Sequence, residues 1–444
     1  MHYEKFQDGT VKCIENEIPF ELPDGWSWAR LRDICMMSAG KSKSTVQIKS
    51  EPFEGSYPCF GGNGVRGYVD EYNQDGIFSI VGRQGALCGN INIAIGKFYA
   101  TEHAVVTTLF DGIDFKWSNY ILEALRLNNY ATGAAQPGLS VANILNVFVP
   151  VPPTQEQDRI GNSVYESLKI IEALEQEKID LQKNIITAKT KILDLAICGK
   201  LVPQDPNDEP ASVLLERIRA EKEELIKHGK IKRDKKESVI FKGDDNSYYE
   251  RVGDIISNID DEIPFELPQN WEWSRLQTIC YPITDGTHKT PTYSDSGYIF
   301  LSAKNITTGK INWNDIMYIP KSLHDELYSR VSPKMNDILL AKNGTTGVAA
   351  IVDRECEFDI YVTLALLRVV NNNISSQYLL KIIASDTIQD YFKSSLKGIG
   401  VPNLHLEHIR TTLIPIPPIN EQNKIAERIY QYYSLLDSIV QNIE

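Results

Sequence analysis

EIPFELPDGWSWARLRDIC (residues 17–35) and EIPFELPQNWEWSRLQTIC (residues 262–280) are one passage written twice, 245 residues apart. Both copies keep EIPFELP, a W-x-W pair (Trp26 and Trp28; Trp271 and Trp273), then Arg-Leu, Ile and Cys. The likeness extends upstream, where Tyr3-Glu4-Lys5 resembles Tyr249-Glu250-Arg251. Self-similarity over so long a period is a tandem duplication. Alternate residues of an extended segment share a face, so each W-x-W is expected to pack both rings on one side of its frame rather than stack on bases.

A second shared block closes each copy: VPVPPTQEQDRI (149–160) and IPIPPINEQNKI (414–425). Its prolines hold the chain extended and end a strand. Thr154 or Asn420 is then a suitable N-cap, and Glu156 or Glu421 falls in the first helical turn, where the helix dipole favours a carboxylate. Between these frames the inserts 36–148 and 281–413 diverge and align only at short motifs. Drift alone erodes frame and insert alike, so the pattern points to one scaffold used twice with different readers.

The helix launched after Gln157 carries Ile160, Val164, Leu168, Ile171 and Leu174, then Leu181, Ile185, Ala188, Ile192 and Leu195. Its second part alternates spacings of four and three, a coiled-coil seam. The second copy repeats that spacing with Ile425, Ile429, Tyr432, Leu436, Ile439 and Ile443. The two stripes are expected to pack on each other; the other arrangement packs each on its own globular domain. The first helix covers about 40 residues, or about 60 Å. Gly199 ends it, and LVPQDPNDEP (201–210) is an extended connector. Residues 211–228 follow as an amphipathic helix with Val213, Leu214, Ile218 and Leu225 on one side, and KHGKIKRDKKES (227–238) reads as a solvated linker.

Both inserts read as short strands with Gly- and Asn-rich turns: YPCFGGNGVRGYV (57–69), which carries Asn63 and Arg66; IFSIVGRQGALCGNINIAI (77–95); YIFLSAKNI (298–306), which carries Lys304; and DILLAKNGTTGVAAIV (337–352). Two turns echo each other: Arg83-Gln84-Gly85 with Gly89, and Lys342-Asn343-Gly344 with Gly347. A basic side chain can hold a phosphate or guanine, Gln or Asn can pair with adenine, and glycine lets the backbone come close. Thr287, His288 and Lys289 lie in a run dense in hydrogen-bonding groups, and Lys41 and Lys43 occupy the matching place after the first frame. These twelve polar residues are the candidate DNA contacts. Glu102-His103 reads as a structural or polar contact, not an acid–base pair.

At 444 residues the chain suits about three domains. Hydrophobic content of 42% and charged content of 24% are ordinary for a globular protein. No apolar run is long enough to span a bilayer, and the N-terminus lacks the pattern of a secretory signal. The seven cysteines are scattered and form no C-x-x-C pair, which speaks against a disulfide framework or a zinc site and for a reducing cytoplasm. The net charge of −13 avoids the inserts: residues 36–150 sum to −1 and residues 281–415 to 0, while residues 201–280 hold −6. A neutral domain can still present a basic face. No P-loop, metal-ligand cluster or cofactor loop is present, and the proline pairs Pro152-Pro153 and Pro417-Pro418 lack the acidic or amide residue and the aromatic of an adenine methyltransferase motif. Neither an enzyme nor a cofactor is expected.

With these pieces in place, the chain resembles the specificity subunit of type I restriction–modification systems over nearly its full length. The resemblance rests on the paired ELP-x-x-W-x-W-x-R-L frames and the paired P-x-P-P-x-x-E-Q helix starts. It rests also on ILDLAICGKLVPQDPNDEPAS (192–212), ITDGTHKTP (283–291) and SIVGRQGALCGNI (79–91). It implies an α+β protein of two β-rich target-recognition domains joined by long helices in an antiparallel coiled coil. The expected boundaries are residues 1–154 for the first domain, 155–200 for its spacer helix, 201–246 for a linker with an amphipathic helix, 247–419 for the second domain and 420–444 for its helix. It further implies double-stranded DNA as ligand, with each domain reading half of a split target. Two methyltransferase subunits would dock on the scaffold and methylate adenine, and restriction (translocase and nuclease) subunits are a further partner. A second reading stands beside it: a coiled-coil scaffold whose β-rich domains bind protein. Salt-dependent DNA binding separates the two.

Overall fold

In the computed structural model the described residues are 1–85, 87–133, 137–233, 237–370, 373–396 and 402–443. Residues 234–236 of the charged linker lie outside them. The chain divides into two compact units, Met1–Glu177 and Lys178–Glu444.

The first unit contains β1 (Tyr3–Lys5), β2 (Val11–Cys13), β3 (Ser27–Arg30), β4 (Cys35–Ala39), β5 (Tyr57–Gly61), β6 (Gly64–Val69), β7 (Gln74–Gly82), β8 (Ile91–Ala100), β9 (Ala104–Leu109), α1 (Phe115–Ala124) and β10 (Phe148–Val151). The two conserved blocks are partners. β3 pairs antiparallel with β10, setting Trp28 opposite Pro150. The insert forms one six-stranded sheet of order β4-β9-β7-β8-β5-β6, antiparallel except where β5 runs parallel to β8. Side chains alternate across a strand, so Val81 joins Val105, Trp117 and Leu122 beneath α1, while Ile80 joins Phe60, Ala94 and Phe98 on the other face.

The second unit contains β11 (Ser238–Lys242), β12 (Tyr248–Val252), β13 (Ile255–Asn258), β14 (Glu272–Arg275), β15 (Cys280–Asp285), β16 (Tyr298–Leu301), β17 (Met317–Ile319), β18 (Ile338–Ala341), β19 (Ala349–Ile351), β20 (Phe358–Ile360), β21 (Leu364–Val369) and β22 (Leu413–Ile416). β14 pairs with β22, and Trp273 faces Pro415, as Trp28 faces Pro150. The insert makes a four-stranded sheet, β15-β21-β18-β19, and a three-stranded one, β17-β16-β20. Here the counterpart of β8 is broken into β19 and β20. β18 is buried along its whole length, which is why ILLA is a continuous apolar run rather than an alternating one.

Each frame is clamped by one arginine. Arg30 donates from Nε to Glu4 at 2.6 Å and from Nη1 to the Asn146 carbonyl at 2.5 Å. Arg275 donates to Glu250 at 2.6 and 3.0 Å, to Glu262 at 2.9 Å and to the Thr411 carbonyl at 2.8 Å. The Tyr-Glu-(Lys/Arg) similarity upstream of each frame therefore preserves the carboxylate of the clamp. The Trp rings depart from expectation in the second copy: Trp271 precedes β14 and joins a different cluster from Trp273, so the pair does not share a face there.

The helix starts also follow one plan. α2 (Thr154–Ile197) and, later, a helix at Ile419–Ile443 begin beside their prolines. The cap lies one residue before Thr154 and two before Asn420, because the Pro153 and Pro418 carbonyls accept the N–H of Gln157 and Gln422. The glutamine of each E-Q pair ties the structure together. Gln157 donates to the Pro152 carbonyl and accepts from Asp114 N, both at 2.9 Å. Gln422 does the same with Pro417 and Ser375 N at 2.9 Å.

α2 is 44 residues long. α3 (Ala211–Lys227) buries Leu214, Leu215 and Ile218, while Val213, expected on that face, is 44% exposed. α4 (Ser376–Ile383) packs on α5 (Ile419–Ile443). α2 and α5 run antiparallel where they meet in the second unit. Lys189 pairs with Asp437, Tyr433 Oη donates to the Lys189 carbonyl at 3.0 Å, and Leu193, Ala196 and Ile197 share a core with Ile425 and Ile429. The seam is covered only in part. Ile185 is buried, but Leu168, Ile171 and Leu174 are 40%, 50% and 58% exposed. Among the described residues no helix is long and apolar enough to cross a membrane.

Candidate nucleic-acid interface

The two inserts share few residues, yet their central turns are built on the same backbone hydrogen bonds. In the first unit Arg83 N donates to the His103 carbonyl, and the Arg83 carbonyl accepts from Leu139 N. In the second, Lys342 N donates to the Thr363 carbonyl, and its own carbonyl accepts from Leu404 N. Gln84 bridges antiparallel to Gly138, and Asn343 to Asn403. Gly89 N closes on the Gly82 carbonyl, and Gly347 N on the Ala341 carbonyl. Thr101 N reaches the Phe60 carbonyl, and Tyr361 N that of Leu301. Gly40 and Gly286 are equivalent too. A Cβ on either would lie 2.1 Å from the Ala100 oxygen or 1.8 Å from that of Ile360, closer than any side chain tolerates.

The turns line concave surfaces. A recess of about 590 Å³ in the first unit is lined by Gly62, Asn63, Arg66, Gln84 and His103. Its counterpart in the second, about 710 Å³, is lined by Tyr293, Lys304, Asn305, Asn343 and Thr363. A second recess there, about 720 Å³, brings Asp285, His288 and Lys342 against Asn403, His405 and His408. Asn343 lines both. Buried polar atoms lacking a partner are rare in folded proteins. Here, among the described residues, His103 Nδ1, Glu102 Oε2 and Asn403 Oδ1 are such atoms, and all sit at these turns.

The twelve sequence candidates do not behave alike. Lys41, Asn63, Arg66, Gln84, His288, Lys289 and Lys304 are exposed, and Arg83, Thr287 and Asn343 are half-buried. Asn63 accepts from Asn90 at 2.9 Å and Arg66 donates to Thr45 at 3.2 Å. Two lysines are engaged inside the protein. The Lys43 side chain is 7% exposed, paired with Glu71 at 2.6 Å, and Lys342 pairs with Asp285 at 2.5 Å. Sequence reading missed Tyr361, Asn403, His405 and His408, and read His103 only as a structural or polar contact. His103 Nε2 does lie 3.5 Å from Glu102 Oε1, but the ring also faces the recess. Among the described residues one grouping has metal-ligand spacing, His2 with Glu15 and Glu21. It flanks the N-terminal hairpin, both glutamates are exposed, and His2 is already bonded to Glu15 at 3.2 Å.

A duplicated β-rich scaffold that holds two differently lined polar surfaces at the same turn defines a recognition subunit. Known proteins identify the kind. A family model described as the type I restriction modification DNA specificity domain matches residues 23–189 and 268–444, and the chain belongs to that family. It is similar to the type I restriction enzyme EcoAI specificity subunit of Escherichia coli, 26% identical over 96% of this chain and 80% of the relative. It is also similar to the EcoprrI specificity subunit of the same organism, 42% identical over 38% of this chain and 43% of the relative. The HsdS subunit of Thermoanaerobacter tengcongensis shares the fold, with a TM-score of 0.54 at 13% identity over 97% of this chain and 94% of that one. The chain is thus a non-catalytic DNA target-recognition subunit of a type I restriction–modification system. The protein-binding scaffold alternative is not favoured.

Proposed function

We propose that the chain reads an asymmetric, bipartite DNA target, one half through each unit. Two methyltransferase subunits dock on its frame to methylate adenine, restriction subunits join the same body, and the assembly works in the cytoplasm. The observation that carries this reading is the recurrence of one turn, on one hydrogen-bond scaffold, with different side chains in the two units. A common scaffold with different donors and acceptors is what two different half-sites require. The first reader would contact DNA through Lys41, Asn63, Arg66, Arg83 and Gln84, and the second through Thr287, His288, Lys289, Lys304 and Asn343. α2, at about 66 Å for 44 residues, would act as the spacer, since one turn of DNA is about 34 Å.

The test is to map modified adenines in a host expressing this chain with its cognate methyltransferase. A two-part motif interrupted by a gap of fixed length is expected. A single uninterrupted motif, or no new motif, overturns the proposal.

A further inference from the structure

One backbone position carries a cation in both units, and only one of the two is neutralised from within. β21 sets Ala365 opposite Asp285, and β9 sets Val105 opposite Ala39. Ala104 N and Leu364 N make equivalent bonds, to the Thr101 and Tyr361 carbonyls. Asp285 and Ala39 therefore hold the same place, and the irregularity between Cys280 and Ile283 absorbs the one extra residue of β15. Asp285 takes the Lys342 ammonium, and the two side chains are 10% and 6% exposed. Ala39 has no carboxylate to offer Arg83. Arg83 is half-buried, and among the described residues its guanidinium has no hydrogen bond or ion pair.

The two cations differ in what DNA offers them. Among the described residues no acceptor occupies the five guanidinium donors of Arg83, so DNA can take them without breaking a bond inside the protein. A lysine in a buried pair can reach DNA only by leaving its carboxylate uncompensated, and that loss outweighs one new contact.

We infer that Arg83 is a direct DNA contact of the first reader, taking a pair of acceptors on the duplex, and that Lys342 is a positioning residue that holds Asp285 and the Asn343 turn without touching DNA. The acceptors are guanine O6 and N7 or two phosphate oxygens. This inference rests on the bipartite reading proposed above.

The experiment uses the chain assembled with its methyltransferase subunits and measures binding to the duplex target that methylation mapping defines, against salt. Absence of a two-part target for the unaltered complex defeats the proposed function itself, and with it this inference; the variants decide the inference alone. Arg83→Gln is expected to weaken cognate binding about tenfold. If guanine is the ligand, discrimination disappears at one position of one half-site and the salt slope stays. If phosphate is the ligand, the loss is the same for every sequence and the slope of log K against log salt falls by about 0.9. Unchanged affinity and slope overturn the role of Arg83. The double variant Asp285→Asn/Lys342→Gln keeps a hydrogen-bonded pair without charge, and it is expected to bind within about threefold of the original with the same slope. A slope lower by about 0.9 shows that Lys342 holds a phosphate and overturns its positioning role. Lys342→Gln alone, which strands the Asp285 carboxylate, is expected to lose the second half-site and keep the first.

Discussion

The turn after Gly82 and the turn after Ala341 are the same path of backbone set in different surroundings. In the first unit the strand that follows, β8, runs unbroken through ten residues and ties the whole insert into one sheet. In the second its counterpart is cut into two three-residue strands, and the insert splits into two sheets. The turn survives both settings because backbone N–H and C=O groups hold it, and every residue but proline supplies them. Side chains are thereby free to differ: in one unit an Arg83 without a partner among the described residues, in the other a Lys342 locked to Asp285. What recurs is the position at which a side chain is offered; what varies is its chemistry.

The sharpest way to break this comparison is to separate the two readers further. Inserting four residues after Leu181 adds about 6 Å of helix, in the stretch where the α2 seam is exposed and before the buried Ile185. Methylome mapping is expected to show a longer gap between the half-sites with the bases of each half unchanged. An unchanged gap removes the spacer role of α2, and altered bases in either half show that the readers are not independent.

The frames differ in burial, and that predicts unequal costs for the same substitution. Trp273 is 2% exposed, whereas Trp28 is half-buried. Trp273→Ala is expected to cost about 3–5 kcal/mol, as for a fully buried ring, and Trp28→Ala about half as much. Urea unfolding of the full chain, followed by hydrogen exchange in each unit, measures both. Equal losses would mean that the two frames are energetically alike despite their burial.

Acid offers a smaller and graded test. Burial pushes the Glu250 carboxyl up, but the Arg275 hydrogen bonds, a Ser238 hydrogen bond and the Arg275 charge together outweigh it and hold Glu250 below its ordinary value of 4.5. Hydrogen bonds from Arg30 hold Glu4 below the same value. A carboxylate whose pKa is depressed by folding stabilises the fold above its unfolded pKa and loses that contribution as the pH falls through the folded one. Both frames should therefore weaken as the pH falls below about 4.5. Arg275→Lys, which loses the two-pronged grip on Glu250, should reduce the acid sensitivity of the second unit, read as a flatter dependence of its unfolding midpoint on pH. A dependence as steep as before would show that this clamp does not set the acid response.

The amino-acid sequence by itself determined the duplication, the two frames and the launch of a helix from each. These are local signals: aromatic spacing, prolines that stop a strand, an E-Q pair in a first turn. It also located the two polar turns, because a cation, an amide and glycine after an apolar strand stand out. It paired the two turns by their basic, amide and glycine residues, but it did not reveal the common scaffold beneath them, nor which cations are available. That scaffold resides in main-chain hydrogen bonds that leave no trace in residue identity, and the irregularity in β15 shifts the alignment by one. Availability depends on Asp285 and Lys342, 57 residues apart, meeting across neighbouring strands. Only the tertiary structure could decide that, because a charge is neutralised by whatever folding brings within reach and not by its neighbours along the chain.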